Sequence, residues 1–190
     1  MDGSGAAGRL HDVGVRNGRI VEVGLELGTD DGASVVDARG LVVCPGFVDV
    51  HSHMDLVWSM ESEAQARYGG PRVRQGITTE VVGNCGLGAA PVGEANRGLI
   101  GAVNAFVTPP DFGPEYPWEG IASYLDRVEQ VGTLLNVASL VPHGPLRTLA
   151  TGSMDGTPDG AQMDHMQSVL AEGLESGALG VSFGLIYPPG

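Results

Sequence analysis

Four strand-like runs, separated by stretches with helical character, constrain the fold of this 190-residue chain more than any other feature. The runs are rich in β-branched and apolar residues, and they cover residues 47–51, 78–82, 135–141 and 179–183. The first run opens after a Pro-Gly pair and is interpreted as a buried strand. Strands that alternate with helices predict a parallel sheet covered by helices, which is an α/β fold.

Two amphipathic helices are predicted between these strands. One precedes the third strand, and the other lies between the third and the fourth. For the second helix, Thr157 is the predicted N-cap, Pro158 lies in the first turn, and Gly177 is the predicted stop. The apolar faces are Ile121, Leu125 and Val128 in the first helix, and Met163, Met166, Leu170 and Leu174 in the second.

The N-terminal part of the sequence predicts a small β module. Asn17-Gly18 between two alternating runs is a strong hairpin signal, because both central residues of a type I′ turn need a positive φ. Two further runs within residues 35–43 would continue the module. We therefore predict two domains, a β module at residues 1–44 and an α/β domain at residues 45–190.

Charge and composition argue against several classes of function. Ten Lys and Arg residues stand against 23 Asp and Glu, and the formal charge of −13 repels nucleic-acid backbones and anionic membranes. The N-terminus lacks a signal-peptide pattern, and no apolar run approaches the ~20 residues of a membrane span, so we predict a cytoplasmic protein. Two cysteines are too few for a disulfide scaffold, and Cys44, inside an apolar run, is interpreted as a buried hydrophobe.

Polar side chains gather where the four strands end, and they form the candidate site. His51 and His53 follow the first strand with the period of two that puts side chains on one side, where two imidazoles can bind one cation. Cys85 follows the second strand between glycines, where a thiolate would be a strong zinc ligand. His143 follows the third strand and Tyr187 the fourth. Because catalytic groups collect at the carboxyl ends of barrel strands, this coincidence predicts an active site.

Several of these residues have a second interpretation. Nearby histidines often bind nothing, and an isolated cysteine such as Cys85 is more often a small buried hydrophobe. His143 is open between a metal ligand, a substrate contact and a packed, hydrogen-bonded histidine. Asp55 either accepts the second N–H of His53, as outer-shell carboxylates do, or caps the next helix. Three more titratable residues are placed by position: His11 and His165 on the surface, and Asp49 in a buried strand with an unnamed partner.

Two motifs resemble those of a known family. Residues 45–53, PGFVDVHSH, resemble the opening signature of the amidohydrolase superfamily. Residues 75–86, QGITTEVVGNCG, resemble its D-aminoacylase branch, the N-acyl-D-amino-acid deacylases. Residues 143–147 and 180–190 agree with the same branch, so the resemblance covers nearly the whole chain.

The resemblance implies a ligand set and a reaction. It assigns His51, His53 and Cys85 to a zinc (Zn2+) site, with Cys85 in the position that bridges two metals. It also assigns Tyr187 and His143 to contacts with the substrate. The implied reaction is hydrolysis of the linear amide C–N bond of a small-molecule N-acyl-D-amino acid. The family's catalytic aspartate is expected beyond residue 190.

The implied fold is a partial (β/α)8 TIM-like barrel, about its first four strands, preceded by part of a small β-sandwich domain. A whole barrel takes about 250 residues, so we interpret the chain as an N-terminal fragment that is inactive alone. Two alternatives stay open. One is a non-catalytic metal-binding protein that self-associates through the open edge of the half-barrel. The other is a cyclic amidohydrolase of the hydantoinase or dihydroorotase type, against which Cys85 argues.

Overall fold

The chain divides into two units, unit 1 (Met1–Pro45) and unit 2 (Gly46–Gly190). Unit 2 alternates parallel strands with helices, which confirms the predicted α/β class, whereas unit 1 contains an antiparallel hairpin. The computed structural model describes residues 1–28, 34–113, 115–186 and 188–189.

The hairpin of unit 1 forms where the sequence predicts it. Strands β1 (Asp12–Arg16) and β2 (Arg19–Gly24) pair antiparallel. The turn residues Asn17 and Gly18 have φ of 51° and 70°, as a type I′ turn requires. The predicted continuation at residues 35–43 is wrong: this described segment forms no strand, and its valines and leucine are exposed. An apolar run becomes a strand only where another strand satisfies its backbone groups, and none of the described strands pairs with this segment.

Unit 2 contains five short strands, seven α-helices and one short 3-10 helix (Asn84–Gly86) among its described residues. The strands are β3 (Phe47–Asp49), β4 (Ile77–Val82), β5 (Asn136–Ser139), β6 (Val141–Pro142) and β7 (Val181–Ser182). The helices are α1 (Asp55–Trp58), α2 (Ser62–Tyr68), α3 (Gly70–Val73), α4 (Ile100–Val103), α5 (Ile121–Val131), α6 (His143–Thr151) and α7 (Gly160–Glu175).

Parallel pairing links these strands in chain order. β3 pairs with β4 and β4 with β5 in a three-stranded sheet, and β6 pairs with β7 in a second sheet, so the described strands form no closed barrel. The backbone changes partner at Leu140, whose N–H donates to the carbonyl of Val82, while the N–H of Val141 donates to Gly180. The single strand predicted at residues 135–141 is therefore two strands. Parallel pairing brings the carboxyl ends of β3, β4 and β5 to one edge of the sheet.

Strand β3 is shorter and more exposed than predicted. It ends at Asp49, and the side chains of Phe47 and Val48 are 59% and 57% exposed. Among the described strands β3 pairs only with β4, and no described helix or strand buries the side chains of Phe47, Val48 and Val50. The interpretation of residues 47–51 as a buried strand is wrong for this reason.

Helix α7 confirms a predicted helix and corrects its start. The N-cap is Asp159 and not Thr157, because Asp159 and Gln162 form a capping box. The Asp159 carboxylate accepts from the backbone N–H of Gln162, and the Gln162 side chain accepts from the backbone N–H of Asp159, both at 2.9 Å. This exchange satisfies two backbone donors at once. Gly177, with φ of 103°, follows the helix end as predicted. Of the predicted apolar face, Met166 is buried, whereas Met163 and Leu174 are exposed.

The core of unit 2 has two clusters. The larger includes Ile121, Tyr124 and Val128 of α5, which confirms that helix and its apolar face. The smaller cluster consists of Val57, Trp58, Val82 and Leu135, and it packs against β4. None of the helices in the described part of the chain combines the length and the hydropathy needed to cross a bilayer.

Candidate metal centre

Three predicted site residues meet at the edge of the three-stranded sheet. One ligand atom from each of His51, His53 and Cys85 lies within 4.8 Å of the other two. Nε2 of His51 is 3.0 Å from Sγ of Cys85, and the two imidazole rings are edge to face with centroids 5.5 Å apart. Ligand atoms that share a tetrahedral zinc ion lie about 3.5 Å apart, given its bond lengths. Within the described ranges, no other group of three His, Cys, Asp or Glu residues has this geometry.

Parallel pairing of β3 with β4 explains why distant residues converge. The two histidines follow β3 and the cysteine follows β4. The backbone N–H of Ser52 donates to the carbonyl of Val81 at 3.1 Å. Nδ2 of Asn84 donates to the carbonyls of Val81, at 2.8 Å, and Ser52, at 3.3 Å. The buried Asn84 amide thus ties the cysteine turn to the histidine segment.

The turn that carries Cys85 has a conformation that few sequences tolerate. Gly83, Cys85 and Gly86 have positive φ angles of 79°, 56° and 70°. A side chain in this region costs about 1–3 kcal/mol, and such strain is concentrated at functional sites. A Cβ at Gly83 would lie 2.5 Å from the carbonyl oxygen of Leu140. The glycines of the Gly-Asn-Cys-Gly motif are therefore required by backbone angle and by space.

The later strands pack against this turn. The Ser182 hydroxyl, at the end of β7, accepts from the backbone N–H of Gly86 at 2.9 Å and donates to the carbonyl of Gly83. A Cβ at Gly144 would lie 2.6 Å from the carbonyl oxygen of Gly86. Close backbone contacts on both sides hold Cys85 beside His51.

The donor set fits a zinc ion. Two imidazole nitrogens and one sulfur are ligand types that zinc prefers. Burial lowers the pKa of His53, and the positive charges of His51 and Arg72 lower it further. This shift favours the neutral imidazole, which is the form that binds metal. Nδ1 of His53 is buried and has no hydrogen-bond partner among the described residues, so it is available as a ligand atom.

Asp55 does neither of the two things predicted for it. It is the first residue of α1, so it is not the N-cap, and Nδ1 of His53 does not donate to it. Its buried carboxylate accepts backbone hydrogen bonds from Gly83 and from Asp55 itself. Burial raises the pKa of Asp55 to about 7, these hydrogen bonds lower it, and nearby Glu80 raises it. Asp55 thus contacts the cysteine turn and not the histidine.

Glu80 and Arg72 are site neighbours that the sequence analysis missed. Glu80 is fully buried in β4, where its carboxylate accepts from Ser52, Trp58 and Arg72. Arg72 also donates to Asp49 at 2.9 Å and is the partner that the sequence left unnamed, although Asp49 is only partly buried. The one available signal was a glutamate inside an apolar β-branched run, since a buried charge needs a partner.

His143, another predicted site residue, lies outside the three-residue cluster. His143 is the first residue of α6, its ring is 5.1 Å from that of Phe183, and its buried Nδ1 has no hydrogen-bond partner among the described residues. Burial, and then the charge of Arg147, lowers the pKa of His143. The packed, hydrogen-bonded alternative for His143 therefore lacks its hydrogen bond at Nδ1. Tyr187 lies outside the described residues.

The predicted exposure is correct for two histidines, whereas one cysteine that was predicted to be buried is exposed. His11 and His165 are exposed, as predicted. Cys44 is exposed as well, although it was interpreted as a buried hydrophobe. It follows residues 41–43, which are exposed too, because no strand or helix among the described residues of unit 1 covers that segment.

Fold and site together define an α/β protein with a nitrogen and sulfur ligand cluster at the carboxyl ends of parallel strands. The chain belongs to the amidohydrolase family, whose profile matches residues 34–187. The resemblance read from the two sequence motifs is thereby confirmed.

Individual relatives agree with this assignment. A D-aminoacylase from Alcaligenes xylosoxydans xylosoxydans is 35% identical over 195 residues, which span 100% of this chain and 37% of the relative. A solved D-aminoacylase, studied for its binuclear metal center, aligns with a TM-score of 0.80 at 33% identity, over 99% of this chain and 37% of that one. An N-acyl-D-glutamate deacylase from Bordetella bronchiseptica, solved with zinc and a phosphonate inhibitor, has a TM-score of 0.74 at 35% identity, over 98% and 36%.

A shorter similarity concerns the cyclic amidohydrolases. A dihydroorotase from Streptococcus pneumoniae is 43% identical over 53 residues, which is 28% of this chain. This chain spans about 37% of the length of the deacylases that it matches from end to end.

Proposed function

We propose that this chain supplies His51, His53 and Cys85 as ligands for zinc in a hydrolase of linear amide bonds, with N-acyl-D-amino acids as the substrate class. The observation that carries the proposal is the convergence of three ligand atoms to within 4.8 Å. The full-length similarity to D-aminoacylase supports the substrate class. When bound, zinc polarises an amide carbonyl and lowers the pKa of a coordinated water.

The protein residues prepare that chemistry in distinct ways. Burial lowers the pKa of His53 and so favours its neutral ring, and the left-handed turn directs Cys85 toward the histidines. Cys85 occupies the position that the family resemblance assigns to a bridge between two metals. His143, whose buried Nδ1 has no partner among the described residues, and Tyr187 are proposed contacts for the substrate.

The fold supports a more specific architecture. We propose that β3 to β7 with their helices are the first strands of a (β/α)8 barrel, and that unit 1 is part of a β-sandwich. Parallel pairing of β3 with β4, of β4 with β5 and of β6 with β7, with helices between the members of each pair, is the barrel pattern. The boundary predicted after residue 44 belongs to this proposal.

A metal titration with matched variants tests the ligand assignment. We expect the 190-residue chain to bind Co2+ with a thiolate-to-cobalt charge-transfer absorption. Cys85→Ser should abolish this absorption, because serine removes the sulfur ligand. Cys44→Ser is the control: it makes the same change at an exposed cysteine and should leave the absorption intact. Equal spectra for the two variants would contradict the proposed site.

A second pair tests the imidazoles. His51→Ala should weaken Zn2+ binding strongly in a competition titration, since it removes one of three ligands. His165→Ala removes an exposed histidine and should leave binding unchanged. If both variants bind zinc like the parent chain, His51 is not a ligand.

An activity assay tests whether these 190 residues are sufficient for turnover. We expect no deacylation of N-acetyl-D-methionine by these 190 residues alone, because no residue of the chain is assigned to take a proton from water. Robust turnover would place that group within the chain. Similarity to linear deacylases over the whole chain, against 28% for the dihydroorotase, favours the linear substrate over the cyclic alternative.

Self-association is the other alternative. The open edge of β3 and the exposed Phe47 and Val48 are consistent with a pairing surface. A discrete dimer in size-exclusion chromatography would support a self-associating metal-binding protein, and a monomer would argue against it.

A further inference from the structure

Ser52 stands between the two histidines and has the opposite environment. His51 is exposed and His53 partly buried, whereas Ser52 is 1% exposed. Its hydroxyl donates to Oε2 of Glu80 at 2.7 Å, and it accepts from the backbone N–H of Met54 at 3.3 Å. The residue that separates the two imidazoles is therefore anchored on the buried side of the sheet edge.

The carboxylate of Glu80 accepts hydrogen bonds from three side chains. Besides Ser52, its Oε2 accepts from Nε1 of Trp58 at 2.9 Å, and its Oε1 accepts from Nη1 of Arg72 at 3.1 Å. Glu80 and Trp58 are both 0% exposed. A buried carboxylate is costly unless its charge is paired and its oxygens are hydrogen-bonded, and here both conditions hold.

The same arginine reaches the other side of the histidine pair. Nη1 of Arg72 also donates to Oδ2 of Asp49 at 2.9 Å, and Oδ1 of Asp49 accepts from the backbone N–H of His51 at 3.1 Å. We call Asp49, Ser52, Arg72 and Glu80 the carboxylate network. The carboxylate network binds the His51-Ser52-His53 segment at its first backbone N–H and at its central side chain, and among the described residues none of its hydrogen bonds goes to an imidazole ring.

We infer that Glu80 is a positioning residue for the metal centre, which acts through Ser52 to fix the direction of both imidazoles. This inference rests on the proposed metal-binding function. The physical reason is that outer contacts which orient ligands raise metal affinity, since a ligand fixed in place loses less entropy on binding. The buried carboxylate needs Arg72 to offset its charge, and Asp49 extends the same constraint to His51.

A matched pair of serine variants tests the inference. Ser52→Ala deletes the hydroxyl that joins the histidine segment to Glu80. Ser59→Ala deletes a hydroxyl that is also buried and donates to the carbonyl of Leu56 at 2.7 Å, outside the network. We expect Ser52→Ala to weaken Co2+ affinity by about 10- to 100-fold and to alter the thiolate-to-cobalt absorption. Ser59→Ala should lower the thermal unfolding midpoint of the metal-free chain to a similar extent and leave metal affinity unchanged.

The outcomes separate this inference from the proposal beneath it. If the parent chain binds no Co2+, the metal-binding function fails. If the parent binds Co2+ and the two alanine variants bind with equal affinity, only the positioning role is overturned. Glu80→Gln is a second variant, which keeps an acceptor oxygen but removes the charge that Arg72 pairs with. It should also weaken Co2+ binding in any sample that retains the far-UV circular dichroism of the parent, and parent-like affinity in such a sample would overturn the role of Glu80.

Discussion

The hairpin of unit 1 and strand β4 of unit 2 have similar β-branched sequences and opposite environments. Val23 in β2 is 59% exposed, whereas Val82 in β4 is fully buried. Both segments form the strands that their residues favour. The difference shows that local pattern selects the strand, while burial depends on whether helices and further strands cover it.

The two regions also use glycine differently. Gly18 in the hairpin turn and Gly83 after β4 both have positive φ. A Cβ at Gly18 would meet nothing within 4 Å, but one at Gly83 would meet the Leu140 carbonyl oxygen at 2.5 Å. Gly18 is needed only for its backbone angle, whereas Gly83 also leaves room for the backbone of Leu140, between β5 and β6.

The largest expected effect is at Trp58, under the site. Trp58→Ala should lower the free energy of unfolding by about 3–5 kcal/mol, because it empties a buried indole volume. It also removes the hydrogen bond to Glu80. Urea unfolding followed by circular dichroism measures this loss, and a loss below about 1 kcal/mol would show that the cluster around β4 is not a packed core.

The two glycines give the next comparison. Gly18→Ala should cost about 1–2 kcal/mol for the left-handed backbone alone. Gly83→Ala should lower the free energy of unfolding by about 1–3 kcal/mol more than Gly18→Ala does, because the overlap with Leu140 forces a backbone shift. It should also displace Cys85 and weaken Co2+ binding, which Gly18→Ala leaves unchanged. Equal urea midpoints and equal metal affinities for the two variants would contradict the tight packing of the site turn.

A valine pair measures burial itself. Val82→Thr should lower the free energy of unfolding by about 1–3 kcal/mol, since it buries a hydroxyl in an apolar cluster. Val23→Thr makes the same change on an exposed strand and should stay within about 0.5 kcal/mol. Similar losses at the two positions, measured by urea unfolding, would mean that the hairpin is covered in solution.

The smallest expected effect concerns pH. The pKa of His143 is lowered in the folded chain, so the unfolded chain binds the proton more readily. Stability should therefore fall as pH drops below the unfolded value of about 6.5. The effect should stay under about 1 kcal/mol, because the ring is partly exposed and solvent screens its charge.

Glutamine variants isolate this contribution. His143→Gln should reduce the difference between the urea midpoints at pH 7.5 and pH 5. His165→Gln, at an exposed histidine, should keep the difference seen in the parent chain. The reverse result would exclude His143 as the group responsible.

Sequence reasoning succeeded where the signal was local. The Asn17-Gly18 turn, the strand at residues 78–82 and the helix ahead of Gly177 follow from backbone angles and apolar spacing within a few residues. It failed where it predicted that β3 and Cys44 are buried, because burial depends on elements far away in the chain. Its error at Thr157 arose because the Asp159 capping box is a stronger local signal than a threonine before proline. Helix α6, which begins at His143, was missed as well.

The candidate site divides in the same way. The residue types His51, His53 and Cys85, and the glycines around the cysteine, could be read from the sequence as a metal-binding pattern. The cytoplasmic location of the protein and the substrate contact of Tyr187 stay predictions. Glu80, Arg72 and Ser52 could not be assigned a joint role, because separate strands and a helix bring their side chains together.

The sequence by itself determined which residue types are available as metal donors, the strand-and-helix alternation and the turn that needs glycine, since each can be read from a short local segment. Only the tertiary structure decided that the two imidazoles and the cysteine sulfur meet within 4.8 Å and that a buried carboxylate lies beneath them. The physical reason is that parallel strands place residues some 30 positions apart side by side. Which side chains then share the buried space depends on the packing of every neighbouring element.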